Sequence, residues 1–385
     1  MAGEYEVGVY YFPNYHVDPR NEAARGRGWT EWELVKRGEP RYPGHRQPKA
    51  PAWGYEDESD PEVFARKIEA AADHGITHFI FDWYWYNDGP FLSRCLEDGY
   101  CRAPNRDRLK FALMWANHDW MDIHPAKAAG PPRLLYPGAV SRETMAGIAD
   151  YVVGRYFRHP SYWRVDGCPY FSIYDLSALV RGFGSVRETR TALDGFRART
   201  KAAGFPDLHL NAVVWGRTIL PGEEVVDSPN ELLGELGFAS VTSYVWVHHV
   251  ALPDFPATDY RQVADAAAEH WQRACTELSL PYYPNVTMGW DPSPRTVQSD
   301  VYANLGYPFT PILSGNTPAE FRRALERARR FLAGRPAPRV LTINAWNEWT
   351  EGSYLEPDTA NGMAYLEAIR DVFGGPRSPD DGRSP

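Results

Sequence analysis

The sequence predicts an α/β chain folded as a single (β/α)8 TIM barrel over residues 1–373, with extended loops after the strands. Three observations predict it. Eight short apolar runs recur along the chain, β-branched and apolar throughout, as buried parallel strands are. Helical periodicity fills the intervals and follows the last run. Eight such units in a chain of this length is the count of a barrel. A doubly wound sheet is the alternative, but no Gly-rich turn follows the first strand, where Phe12 runs into "PNYH". No linker or second domain is evident, and no repeat shorter than the strand–helix unit.

The first strand is "VGVYYF" (7–12). An irregular stretch rich in Pro, Gly and Trp follows over 13–60. Asp60 then caps a helix with Pro61 at its first position and Phe64, Ile68 and Ala72 on one face, and Gly75 stops it. "THFIFDW" (77–83) and "KFALMWA" (110–116) are strands two and three. A helix over 142–157 carries Met145, Ile148 and Val152. "PYFSIYD" (169–175) is strand four, and "SVRE" (185–188) is a capping box opening a helix that ends at Gly204. "LHLNAVVW" (208–215), a short helix over 229–235 and "FASVTSY" (238–244) come next. A helix over 259–278 precedes "YYPNVTMG" (282–289), where Pro284 weakens the strand pattern. "TPAE" (317–320) caps a helix to Ala333, "RVLTINAW" (339–346) is the last strand, and 360–372 a closing helix. The tail 374–385 is expected to be disordered.

Composition narrows the function. The net charge of −9 disfavours a nucleic-acid partner, which needs clustered Lys and Arg. "RARR" (327–330) falls on a helix and reads as a solvated face. No apolar run is long enough to span a membrane. The N-terminus lacks a signal-peptide pattern, so the expected location is cytoplasmic. The four cysteines are scattered, without CxxC, and read as structural thiols. Fourteen tryptophans and 14% aromatic content suit a large core, or a cleft for flat, hydroxyl-rich ligands.

Active sites of such barrels lie at the C-terminal ends of the strands. Strand one carries Tyr11 near its end and leads to Tyr15 and His16, with Trp32 further along. Strand two supplies Asp82, Trp83 and Trp85; strand three, Trp115 and Asn117. Strand six leads to Tyr244 and Trp246, strand seven to Trp290. Strand eight supplies Asn344, Trp346, Asn347 and Trp349. These are the candidate substrate-binding residues, gathered at one end of the barrel. His248 and His249 are adjacent, so in a strand they point opposite ways. No HExxH-like spacing accompanies them, and no metal is expected.

Within "WNEWTEG" stand Glu348 and Glu351. At i and i+3 in a helical turn their side chains share a face roughly 5–6 Å apart. Retaining glycoside hydrolysis uses carboxyl groups about 5–5.5 Å apart. Trp346 and Trp349 are expected to desolvate one carboxyl and raise its pKa, while like charge separates the two. The bland reading is a helix start decorated with acids.

"NAWNEWTEGSYLEPD" resembles the signature of WbsX-like domains, which are related to glycoside hydrolase family 99, the endo-α-mannosidases and endo-α-mannanases. "YYFPNYH", "GWTEW" (28–32), "YPGHRQPKAPAWGYEDESDPEVF" (42–64), "DWYWYNDG" (82–89), "MWAN" (114–117) and "GWDPSPR" (289–295) resemble blocks of that family in the same order. The resemblance implies a (β/α)8 barrel with no cofactor, acting on an oligosaccharide or glycoconjugate, with residues 13–60 lining the site. It implies that Glu348 is a base acting on the sugar's own 2-hydroxyl. That hydroxyl attacks C1 to give a 1,2-anhydro sugar. Glu351 is then the acid for the leaving oxygen and later the base for water. The chain departs from the family in "HDWMDIH" after "WAN", and in Thr350 where the hydrolases usually have His. A glycosyltransferase of polysaccharide biosynthesis and a non-catalytic carbohydrate-binding barrel are the alternatives.

Overall fold

The computed structural model describes residues 5–374. Its main sheet contains β1 (Glu6–Tyr11), β2 (His78–Tyr86), β3 (Lys110–Trp115), β4 (Cys168–Ile173), β5 (His209–Val213) and β6 (Ser240–Thr242). β7 is two short pieces, Tyr282–Tyr283 and Asn285–Thr287, and β8 is Val340–Asn344. From β1 to β6 each strand pairs in parallel with the next, and β1 also pairs with β8, Glu6 opposite Val340. The ring closes through β7. Its first piece pairs with β6 and its second with β8. Pro284, between them, has no N–H to give. Its carbonyl still accepts from Thr342 N at 2.9 Å. The expected seventh strand therefore exists, but as a seam bonded to one neighbour below and the other above.

Helices lie outside the ring. Pro61–Asp73 follows β1, Arg142–Val152 follows β3, Val186–Ala202 follows β4 and Pro229–Leu236 follows β5. Tyr260–Glu277, Pro318–Ala333 and Ala364–Phe373 follow β6, β7 and β8. After β2 there are only short turns between Cys95 and Arg108. Helix starts agree with the sequence reading. Asp60 accepts from Glu62 N, Ser185 from Glu188 N and Thr317 from Glu320 N. The capping glutamates, however, pair outward, Glu188 with Arg142 at 2.7 Å and Glu320 with Arg261 at 2.6 Å. Along Pro318–Ala333, Phe321, Leu325 and Leu332 are buried while Arg329 and Arg330 are exposed. Each such apolar side chain stabilises the ring by roughly 1.5–3 kcal/mol.

Three helices were not legible beforehand: Leu176–Phe183, capped by Asp175, and two short ones, Pro19–Arg25 and Trp32–Arg37, inside the irregular 13–60 stretch. Gly8 of β1 marks a close approach. A Cβ there would lie 2.4 Å from Nε2 of His78, which stacks on Trp163 at 3.9 Å and fills the ring interior. The four cysteines are free. Among the described residues no helix is long and apolar enough to cross a membrane. The expected disordered tail lies, from residue 375 on, outside the described residues.

Candidate active site

The chain leaves β8 into a tight hairpin. Asn347–Glu348 pairs with Ser353–Tyr354, and Trp349–Glu351 forms a single 3-10 turn between them. Gly352 closes the turn at φ +64, and a Cβ there would lie 2.5 Å from Lys49 Nζ and 2.6 Å from Asp291 Cβ. Both counts require glycine. Asn347 ties the hairpin to the end of β1: it accepts from Phe12 N and donates to Phe12 O, each at 2.8 Å.

Glu348 and Glu351 leave this hairpin on one side and meet Arg295. Its Nη2 donates to Glu348 at 3.1 Å and its Nη1 to Glu351 at 2.5 Å. Its Nε donates to Glu31 at 3.0 Å. Glu31 also accepts from Asn14 at 2.5 Å and from Thr350. Tyr307 OH donates to Glu351 at 2.6 Å. All four charged groups are 5% exposed or less. One guanidinium thus faces three buried carboxyl groups, an arrangement that favours keeping a proton on one of them. Burial pushes Glu348 well above the usual carboxylate range, the charge of Glu351 adds to this, and Arg295 opposes it. Burial raises Glu351 as well, against Arg295 and the Tyr307 hydrogen bond. Burial works against the Arg295 cation too, but Tyr307 and the glutamates outweigh it.

These groups form part of the wall of an open cavity at the C-terminal end of the strands. Of the candidate substrate-binding residues, Asp82, Tyr244 and Trp290 line it with the two glutamates. Tyr244 OH donates to Asp82 at 2.8 Å, and burial holds the Asp82 carboxyl well above its ordinary range. The other candidates do not line it. Trp346 and Trp349 both turn inward and donate to Glu356, at 3.0 and 2.7 Å, where Lys67 pairs with the same carboxylate at 2.7 Å. The expectation that these two rings desolvate the acids is corrected: Phe12 and Trp290 share the cavity wall with the acids, and Arg295 lies over the Phe12 ring at 5.2 Å.

Tyr11, Tyr15 and His16 converge on buried Glu58, through the Tyr11 hydroxyl at 2.9 Å, the Tyr15 backbone N–H at 2.8 Å and the His16 ring at 3.3 Å. Trp32 stacks on Tyr15 and donates to Glu56 O. Trp83 packs against Tyr156 and Phe171, Trp85 against Tyr151, and Trp115 donates to Trp85 O. Asn117 binds the Asp175 backbone, and Trp246 donates to Asn285 O. Asn344 is fully buried, its amide without a hydrogen-bond partner among the described residues. The reason for much of this is the period of two along a strand. Asp82 and Tyr84 face the cavity while Trp83 and Trp85 face outward. Met114, Ala116 and His118 face it while Trp115 and Asn117 do not. Reading alternation past the strand ends would have separated the two sets.

The sequence reading passed over Glu31, although "GWTEW" holds it, and it did not select Arg295, Trp120 or His124 for the site. Trp120 stacks on His124 at 5.1 Å in the wall, and burial, with Arg295 nearby, pushes His124 well below its usual pKa. His248 lines the cavity, whereas His249 stacks on His270 at 3.8 Å elsewhere. Adjacent histidines do diverge.

Fold and site together define a class: a (β/α)8 barrel with an acidic, aromatic-walled pocket at the C-terminal ends of its strands. The chain belongs to the family described as "Glycosyltransferase WbsX", which matches residues 7–369. It is 31% identical over 379 residues to "Uncharacterized protein WxcX" of Xanthomonas campestris pv. campestris (strain B100), an alignment covering 97% of this chain and 50% of that protein. The chain therefore spans about half the length of the curated relatives it matches. Among solved structures it resembles the GH99 endo-alpha-mannosidase from Bacteroides thetaiotaomicron, with TM-score 0.53, 15% identity and 96% of each chain covered. It also resembles a protein described as "Glycoside hydrolase-like protein", with TM-score 0.58 and 16% identity, covering 96% of this chain and 94% of that one. At such identities the two likenesses speak for the fold.

Proposed function

We propose that the chain is a glycan-active enzyme and, more narrowly, a retaining glycoside hydrolase that cleaves an α-linked, mannoside-like glycan. The observation that carries this reading is the buried pair Glu348 and Glu351, bridged by Arg295 in the wall of an open cavity. Glu348 takes the proton of the sugar's 2-hydroxyl as O2 attacks C1. Glu351 gives its proton to the leaving oxygen as the C1–O bond breaks. In the second step Glu351 takes a proton from water, the water oxygen attacks C1, and the C1–O2 bond opens with the proton returned by Glu348. Two inversions give net retention.

Both carboxyls are raised, Glu348 by burial and the charge of Glu351, and Glu351 by burial against Arg295 and the Tyr307 hydrogen bond, so the pair can hold the one proton that the first step places on Glu351. The family's description favours a second reading, a glycosyltransferase. A nucleotide-sugar donor needs cations for its diphosphate. This wall offers Asp82, Asp119, Glu348 and Glu351 against an Arg295 already bonded to three carboxyl groups.

The test is incubation with a library of α-glycans without nucleotide or added metal. Wild-type protein releases sugar with retained anomeric configuration, read by NMR. Glu351→Gln lowers turnover by about 10³-fold, within the range general acid–base groups contribute, while binding persists. Turnover by Glu351→Gln within tenfold of wild type would refute the assigned roles.

A further inference from the structure

A second cavity opens at the C-terminal ends of the strands, and the β8 hairpin divides it from the first. Glu351 lines the cavity already described, whereas Gly352, the next residue, lines the other. Trp290 and Asp291, after β7, divide in the same way. The second cavity lies between residues 42–50 after β1, residues 312–316 ahead of helix Pro318–Ala333, and the chain beyond the hairpin.

Besides His45, the charged side chains in its lining are Arg46, Lys49, Asp291 and Asp358. A carboxylate offers about four lone-pair sites, and both acids have theirs filled from within the protein. Asp291 accepts from His45 at 2.9 Å, from Gln47 at 2.7 Å, and from the Ser293 hydroxyl and N–H at 2.6 and 3.3 Å, with Lys49 Nζ at 3.2 Å. Against burial, Lys49, His45 and Ser293 hold Asp291 well below the usual carboxylate range. Asp358 accepts from the Tyr354 hydroxyl at 2.8 Å, from Ala360 N and the Asn361 amide at 2.9 Å each, and from Asn361 N.

The two cations are not spent in this way. Arg46 is exposed, and among the described residues its guanidinium has neither a hydrogen bond nor an ion pair. Its charge reaches the hydroxyls of Tyr354 and Tyr365, where it opposes the rise in pKa that burial imposes. Lys49, whose side chain is 20% exposed, has Asp291 as its one carboxylate partner and further N–H groups to offer. A ligand entering here meets open donors on both cations and filled acceptors on both acids.

We infer that this second cavity is a binding site for a sugar bearing an anionic group, a carboxylate or a phosphate or sulfate ester, held by Arg46 and Lys49. A guanidinium fork beside an ammonium is a strong receptor for such a group. The surrounding surface suits a saccharide: Tyr354, fixed by its stack on Trp349 at 3.8 Å, and Tyr365 bring aromatic rings, and Asn316 and Asn361 bring amides. The first cavity, walled by Asp82, Asp119, Glu348 and Glu351, disfavours the same anion. That the anion is carried by a sugar rests on the glycan-active reading of the chain; that an anion binds beside Arg46 does not.

Calorimetric titration at low ionic strength compares methyl α-D-glucuronide, methyl α-D-glucoside and inorganic phosphate. The glucuronide is expected to bind at least about tenfold more tightly than the glucoside, from charge-assisted hydrogen bonds the neutral sugar lacks. Arg46→Gln removes an exposed side chain without a partner, so Tm should stay unchanged while the preference for the glucuronide is lost. Equal affinity for the two sugars, no binding of the glucuronide, or a preference that survives Arg46→Gln overturns the site. Phosphate bound as tightly as the glucuronide, and equally lost in Arg46→Gln, overturns the assignment to a sugar. Each outcome is read from binding, whereas the hydrolase reading stands or falls on turnover by Glu351→Gln.

Discussion

Arg295→Met removes the one cation between Glu31, Glu348 and Glu351 and keeps most of the side-chain bulk. At 3.1 Å in surroundings of effective dielectric about 20, each N–O contact is worth about 5 kcal/mol of Coulomb energy. Desolvation of the guanidinium offsets much of that, and removing one partner of a buried pair costs about 3–5 kcal/mol net. With an unfolding entropy near 2.1 cal/mol/K per residue, a domain of this size loses about 4–6 °C in Tm. The deficit depends on pH with a definite sign. Without the cation, burial and mutual repulsion raise the carboxyl pKa values of the folded protein still further. Protonation then relieves the strain, so the deficit is full at pH 7.5 and shrinks as pH falls towards 5. Scanning calorimetry of both proteins at pH 7.5 and 5.0 measures it. A deficit equal at the two pH values, or none at either, would show that Arg295 does not neutralise the acids.

Other perturbations have equally specific outcomes. Burial raises Asp175 to about 7, against the Ala178 N–H that its side chain accepts. Its folded pKa lies above the unfolded one, so the stability its proton contributes is lost as pH rises from about 4 to about 7, to a limit of about 4 kcal/mol. Asp175→Asn keeps the cap, and urea unfolding should show a flatter pH profile and greater stability than wild type at pH 8. Gly352→Ala forces a side chain into φ +64 beside Lys49 and Asp291, and should cost roughly 1–3 kcal/mol in urea unfolding together with most activity. Asp82→Asn preserves a neutral hydrogen-bonding group and should keep kcat/KM within about tenfold, whereas Asp82→Ala should lose about 10²-fold; equal losses would refute a role for a neutral Asp82.

The ring was readable because its strands are apolar runs punctuated by caps, and those signals are local. Pro284 announced the seam, though not that the two halves bond to different partners. The hairpin after β8 was not read: a helical turn was expected for Glu348 and Glu351, and only its centre, Trp349–Glu351, is one, a single 3-10 turn between two paired pieces. What was not readable is what pairs across the sequence. Glu31 and Arg295 are separated by 264 positions, and only the closed ring brings them to one hydrogen bond. The tryptophans misled because residue type alone does not mark the face an aromatic takes; Trp346 and Trp349 give their indole N–H groups to Glu356, whereas Trp290 gives its own to Thr310 and lines the cavity. The two short helices in 13–60 lack the length that makes periodicity visible.

The tie between Asn347 and Phe12 spans 335 positions and joins the two ends of the described chain. On the ribosome, the first strand emerges long before its partner exists. A nascent chain halted before residue 340 has neither β8 nor Glu348 and Glu351, and Arg295 is without two of its three counter-charges. Under the proposed function, activity therefore requires the last strand of the ring and does not grow gradually with the length made. The entropic cost of that last closure rises only slowly with the number of residues enclosed. By the same reasoning, a terminal deletion that removes either partner of the tie should abolish function even where most of the ring survives.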